Sequence, residues 1–125
     1  MINVEAIVVG GGPAGSTCAD YLKKGGVETI ILDKKNFPRT KLCAGWITPK
    51  VIKDLQMDVD DYQGSLVEFD KLHFKFYGKK FPIRTHQYSI RRYEFDEWLL
   101  QRTGVPIHNH KVKEISKVGS NYVID

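Results

Sequence analysis

A chain of 125 residues and 14.3 kDa has the size of one modest domain, long enough to bury roughly two-thirds of its unfolded surface. With 42% hydrophobic residues, 27% charged residues and a mean hydropathy of -0.33, it lacks the ~20-residue apolar run of a membrane span, and its start lacks a signal peptide's basic and apolar regions. Two cysteines, Cys18 and Cys43, are too few for a disulfide framework, so a cytoplasmic setting is expected, and the formal net charge of +4 excludes a strongly polyanionic or polycationic chain.

Val4 to Val9 is a short apolar run ending at Gly10, the pattern of a buried parallel strand. Pro13 suits a first helical turn. Ala14, Cys18, Tyr21 and Leu22 then recur at helical spacing, which predicts Cys18 as a small buried residue on the packed face, and Gly25-Gly26 end the helix. Thr29 to Leu32 is a second apolar strand closed by Asp33, so the first thirty-three residues form a βαβ unit. Residues 34–50 are expected as a long loop, followed by a short helix over Lys50 to Leu55 and an acidic turn at Asp58, Asp60 and Asp61.

From Lys71 to Arg92 there are seven basic residues and no acidic one. Removing them leaves twelve basic residues against fifteen acidic, a body of net charge -3. Leu72, Phe74 and Phe76 alternate with Lys71, His73, Lys75 and Tyr77, and Phe81 and Ile83 resume the alternation after Gly78. That is the period of a half-solvated hairpin. Arg92 to Arg102 is expected as a helix stopped at Gly104, with strands at Val105–His108, Lys111–Ile115 and Tyr122–Ile124. Asp96, in the first turn of that helix, is expected to interact with the helix dipole. His108 and His110 share one side of a strand but have no third ligand, so no metal site is expected.

The decisive motif is Gly10-Gly11-Gly12-Pro13-Ala14-Gly15, a G-x-G-x-x-G turn. It follows a strand, opens a helix, and has Asp33 at the end of the next strand, 23 residues past Gly10. In that context the turn is a dinucleotide site rather than an ordinary strand-to-helix connection. Gly10 allows the tight turn, Gly12 lets backbone approach a pyrophosphate, and Gly15 lets helix and strand pack closely. The helix start offers free N–H groups and partial positive charge to phosphates, and Asp33 offers acceptors to a ribose hydroxyl pair. Asp33 disfavours a 2′-phosphate, although Lys34 and Lys35 lie close by. Spacing alone does not separate FAD from NAD.

Gly15, Ala19 and Gly26 keep the spacing of FAD-binding flavoproteins of the glutathione-reductase type. Within that group, Pro38-Arg39-Thr40-Lys41-Leu42-Cys43-Ala44-Gly45 and the segment Tyr88 to Leu100, with its Arg-x-x-Phe-Asp-x-x-Leu helix start at Arg92, Phe95, Asp96 and Leu99, resemble segments of the geranylgeranyl reductase family, relatives of the flavin aromatic hydroxylases. The resemblance implies an α/β fold: a three-layer Rossmann-like FAD-binding unit with a β-hairpin insertion, present as a truncated fragment. It divides the chain into 1–50 (βαβ unit and loop), 51–90 (β-rich, substrate-side insertion) and 91–125 (helix and strands returning to the FAD domain). It implies an FAD-dependent oxidoreductase reducing an isoprenoid carbon–carbon double bond with an external electron donor, the fragment alone being inactive. The implied cofactor residues are Gly10, Gly12, Pro13, Ala14, Gly15, Asp33, Lys34, Arg39, Cys43, Ala44 and Arg92. Cys43, among Arg39, Lys41 and Lys50, is a candidate reactive thiolate. Trp46 replaces the longer glycine run usual in the family and bears on the substrate pocket. The runners-up are a flavin aromatic hydroxylase or a flavoprotein–quinone oxidoreductase and, from another class, a non-catalytic nucleotide or polyanion-binding module. The basic hairpin is expected to meet an anionic ligand or, peripherally, a membrane, and nucleic acid is not the expected partner.

Overall fold

The computed structural model describes residues 1–125, and the chain divides into a unit formed by 1–39 with 96–125 and a second formed by 40–95.

The first unit is built on a parallel sheet in the order β1 (Ala6–Val9), β2 (Thr29–Asp33), β6 (Ile107–Asn109). Strand β2 is buried along its whole length, as the central strand of a parallel sheet must be. Helix α1 (Pro13–Lys24) connects the parallel strands β1 and β2, a connection that is right-handed as a rule. Its exit uses Gly25 and Gly26, with N–H donations from Gly25 to the Tyr21 carbonyl and from Val27 to the Leu22 carbonyl, and Gly26 takes a φ of +80°.

The packed face of α1 differs from the expected stripe. Ser16 and Ala19 are buried, whereas Ala14 and Cys18 are exposed and Tyr21 is 62% exposed. Both stripes satisfy a 3.6-residue period, so periodicity could not choose between them. Closeness of approach did. A Cβ on Gly15 would lie 1.7 Å from the Gly10 carbonyl oxygen, and only the Gly15–Ser16–Ala19 side is small enough to come that near.

The core of this unit is Ala19, Ile31, Leu100 and Val105, with Val8 and Phe37 packed against it. Leu100 comes from helix α3 (Arg92–Thr103), and the carbonyls of its last residue Thr103 and of the following Gly104 accept hydrogen bonds from Lys23 Nζ at 3.0 and 2.8 Å. The next strand starts later than expected. Val105 belongs to the helix-side core, and Pro106 offers its carbonyl to the Ile31 N–H at 2.9 Å before β6 begins at Ile107. Lys111–Glu114 is not a strand either; the final hairpin is β7 (Ile115–Val118) and β8 (Asn121–Ile124). A cavity is lined by Ile7, Ile30, Leu32 and His108 of the sheet and by Tyr122 and Val123 of β8.

The second unit holds β3 (Trp46–Ile47), α2 (Pro49–Asp54), β4 (Leu66–Phe76) and β5 (Lys79–Ile90), in the sheet order β3-β5-β4. Strand β3 falls inside the expected loop. It pairs through Trp46 with Ser89 and Ile47 with Tyr88, and two residues are too few to show an alternation in sequence. Gly45, at φ +72°, precedes it, and a Cβ there would lie 1.9 Å from the Ile90 carbonyl oxygen. Buried apolar residues of this unit are Met57, Tyr62, Tyr88, Ile90 and Phe95, with the Tyr62 and Phe95 rings edge-to-face at 6.0 Å. Glu94 accepts the Ser65 N–H; this bond, with a lesser pull from Arg91, holds its carboxyl below the ordinary value.

The hairpin is longer than its charge run suggested. It turns through Tyr77 and Gly78, both at positive φ, the signature of a two-residue primed turn. Opposite residues of an antiparallel pair share a face. Leu72 with Ile83 and Phe74 with Phe81 therefore line one side, and Lys71 with Arg84 and Lys75 with Lys80 the other. The Phe74 and Phe81 rings stack at 5.9 Å.

Candidate functional site

The glycine turn, the end of β2 and the loop after it all lie in the first unit. Gly10 adopts φ +104°, open only to glycine without strain. Gly12 is the N-cap of α1, no side chain caps the helix, and its first turn contains no acid. Pro13 has no N–H to satisfy. The Ser16 N–H already donates to the Gly12 carbonyl at 2.8 Å, which leaves the Ala14 and Gly15 N–H groups without intrahelical partners at an end carrying partial positive charge. The Ser16 hydroxyl donates to the Gly11 carbonyl at 2.9 Å and pins the turn from below.

Asp33 is buried. One carboxylate oxygen accepts the Gly11 N–H at 2.7 Å and the other the Lys35 N–H at 2.8 Å. The acid thus ties the glycine turn to the loop after β2, a role that spacing did not disclose. Each carboxylate oxygen has a second lone pair, so acceptor capacity for a ribose hydroxyl remains. Lys34 beside it is exposed, and Val9, Gly10, Asp33, Lys34 and His110 line a shallow cavity.

The loop returns over the turn. Beyond the cis Phe37-Pro38 peptide, the Phe37 ring lies 3.2 Å from where a Cβ on Gly11 would be, and Arg39 Nη2 lies 3.2 Å from where one on Gly12 would be. The Arg39 guanidinium sits over the Phe37 ring at 4.7 Å, and its Nη1 is 3.2 Å from Asp96 Oδ2. Asp96 is fully buried, so the helix-dipole role expected for it gives way to a buried ion pair. A sequence signal did exist: an acid flanked by Phe95, Leu99 and Leu100 lies on an apolar helix face.

Of the expected cofactor residues, Gly10, Gly12, Pro13, Ala14, Gly15, Asp33, Lys34 and Arg39 belong to this one unit, while Cys43, Ala44 and Arg92 belong to the other. Cys43 is exposed, and its sulfur accepts the Gly45 N–H at 3.4 Å. Cys18 is exposed rather than buried. No cluster of three or more His, Cys, Asp or Glu residues forms, and no helix is long and apolar enough to cross a membrane.

A family profile described as "FAD binding domain" matches residues 3–57, the segment that carries the glycine turn, Asp33 and Arg39. The chain is 32% identical to the geranylgeranyl diphosphate reductase of Rhodobacter capsulatus over 101 residues, 80% of this chain and 25% of that protein. Residues 3–57 thus match an FAD-binding domain, and the chain is similar to proteins of the geranylgeranyl reductase family. A menaquinone reductase of Mycolicibacterium smegmatis is 38% identical over 52 residues, 42% of this chain and 13% of that protein. The fold of a geranylgeranyl bacteriochlorophyll reductase-like protein from Thermoplasma acidophilum superposes with a TM-score of 0.80 at 22% identity, over 95% of this chain and 33% of that one. The chain spans about a quarter of the length of the curated relatives that it matches over most of its own sequence.

The residues present fit FAD. An uncapped helix start without an acid suits a pyrophosphate, and a carboxylate at the end of β2 suits a ribose. A flat approach over Gly10 and Gly12 suits residues without Cβ, and the φ of +104° at Gly10 favours glycine there in its own right. FAD, when bound, supplies two-electron redox chemistry that these side chains do not.

Proposed function

We propose that the chain forms the cofactor-holding part of a flavin-dependent oxidoreductase that reduces a carbon–carbon double bond of an isoprenoid chain. The observation that carries the cofactor half is the uncapped start of α1 with Asp33 bonded across the turn. What supports the substrate half is the 32% identity to a geranylgeranyl diphosphate reductase. In this reading the backbone from Gly10 to Gly15 and Arg39 hold the pyrophosphate, Asp33 holds the ribose, and Lys34 flanks it. Cys43, Ala44 and Arg92 serve the flavin side. Trp46, 52% exposed and bonded through Nε1 to Gln87 at 2.8 Å, shapes the substrate side. An external donor reduces the flavin.

The test uses the whole protein. A yellow protein bleached by dithionite, which then saturates a double bond of geranylgeranyl diphosphate under anaerobic conditions, is the expected result. Bleached protein that saturates no prenyl substrate overturns the substrate assignment, and protein that binds NAD but no flavin overturns the cofactor assignment. The second reading, reduction of a quinone, rests on the likeness to a menaquinone reductase. Oxidation of the bleached protein by menaquinone, with its prenyl chain unaltered, would favour it.

The β4–β5 hairpin supports an anionic-surface contact within the same reading. Its tip exposes Phe76 and Tyr77, at 66% and 90%, with Lys75, Lys79 and Lys80 within three residues of the turn. Aromatic rings at a headgroup interface, with nearby lysines each contributing about 1 kcal/mol to attraction by anionic lipid, would hold a protein peripherally. Co-sedimentation with equimolar phosphatidylcholine–phosphatidylglycerol vesicles is expected, weakening with salt and lost when the three lysines become glutamate. Equal binding to pure phosphatidylcholine would exclude it. Salt-sensitive RNA binding that survives Gly12→Trp would instead favour a polyanion-binding module.

A further inference from the structure

We propose that Asp96 is a positioning residue for the pyrophosphate end of the FAD site, acting through Arg39; this rests on the FAD reading above. Three observations carry it. Asp96 is fully buried, and its carboxylate meets Arg39 Nη1 at 3.2 Å. The other terminal nitrogen, Nη2, stands against the Gly12 turn. The Phe37 ring backs the guanidinium plane at 4.7 Å, and Phe37 itself is packed against Gly11 and the core.

A guanidinium is a planar fork whose two edges can serve two acceptors at once. Here Nη1 is buried 3.2 Å from the Asp96 carboxylate, an ion pair without hydrogen-bond geometry, and the ring backs the plane, so Nη2 is left facing the turn where α1 begins. An arginine left to itself would sample many rotamers, and ordering it would subtract from the affinity it confers. A buried ion pair is a poor source of net stability, because desolvation offsets most of its attraction. Its use here is orientation. The Asp96–Arg39 pair converts a flexible cation into a preset donor beside the helix start, where charge-assisted bonds to a pyrophosphate are strongest. Asp96 lies on α3, 84 positions along the chain from Gly12, so the anion site depends on a helix that supplies none of its glycines.

The test compares ADP, which carries the pyrophosphate, with adenosine, which does not, by calorimetry on the full chain. Asp96→Asn, which keeps the shape of the side chain, is expected to weaken ADP binding about tenfold and to leave adenosine binding unchanged. Arg39→Gln should cost ADP at least as much, and the double variant should cost no more than Arg39→Gln alone. A merely structural role for Asp96 would weaken both ligands in parallel or add to the Arg39→Gln loss, and either result overturns the proposal. Unchanged ADP affinity in Asp96→Asn also overturns it. Should Asp96→Asn fail to fold, Arg39→Lys still decides: full ADP affinity there overturns the oriented fork, and a selective loss of ADP supports it. Failure of the unaltered protein to bind ADP would overturn the FAD reading itself.

Discussion

Gly15→Ala is expected to abolish FAD binding and to lower the melting temperature by about 10 °C. The added methyl carbon would stand 1.7 Å from the Gly10 carbonyl oxygen and 3.3 Å from a Val8 methyl. The first of these is backbone and cannot swing aside. Helix α1 must therefore retreat from β1, which opens the contact that buries Ser16 and Ala19 at an overpacking cost of about 3 kcal/mol. The same retreat carries the Ala14 and Gly15 N–H groups away from the turn. Thermal melting followed by circular dichroism, alongside flavin absorbance of the purified protein, reads both effects. A variant that melts within 2 °C of the parent, on the order of the effect of a neutral surface change, and stays yellow would refute this account of the turn.

Asp33→Ala should be nearly as damaging, for two separable reasons. It leaves the Gly11 and Lys35 N–H groups without the acceptor they use at 2.7 and 2.8 Å, and an orphaned buried donor costs about 1–3 kcal/mol. It also removes the acceptor proposed for the ribose. Asp33→Asn separates the two, since its single carbonyl oxygen can satisfy one N–H while its amide nitrogen opposes the other. A smaller loss of stability and at least a tenfold loss of FAD affinity are expected, read by denaturant melts and flavin fluorescence titration. Full affinity in Asp33→Asn would show that the carboxylate serves only the turn.

Much of the nucleotide half was legible because its chemistry is written in residues without side chains. The order strand, glycine turn, helix, strand, acid admits few backbones, and the reasons for Gly10 and Gly15 could be named from spacing alone. The rest depended on tertiary facts. Two stripes on α1 fit the helical period, and the close approach at Gly15 selected the one that leaves Cys18 in solvent. Strand β3 exists only because Gly45 brings residues 46 and 47 against β5. Val105 was taken into a core assembled from α1, β2 and α3, which delays β6. Asp96 is read from sequence as a partner of the helix dipole because the cation that pairs with it sits 57 positions earlier.

The first unit is discontinuous, assembled from 1–39 and 96–125, and the residues that border the gap, Arg39 and Asp96, are the two that pair. The intervening segment therefore leaves and re-enters at one place, with the geometry of a cassette carried on a closed clasp. Domain insertions are best tolerated where the two ends of the insert lie together. Evolution or engineering could lengthen, reshape or replace residues 40–95 while the clasp keeps residues 1–39 and 96–125 in register. Conversely, the nucleotide half cannot be completed during synthesis until the cassette has been made, so a chain arrested before residue 96 would expose β2 along the edge that β6 later covers.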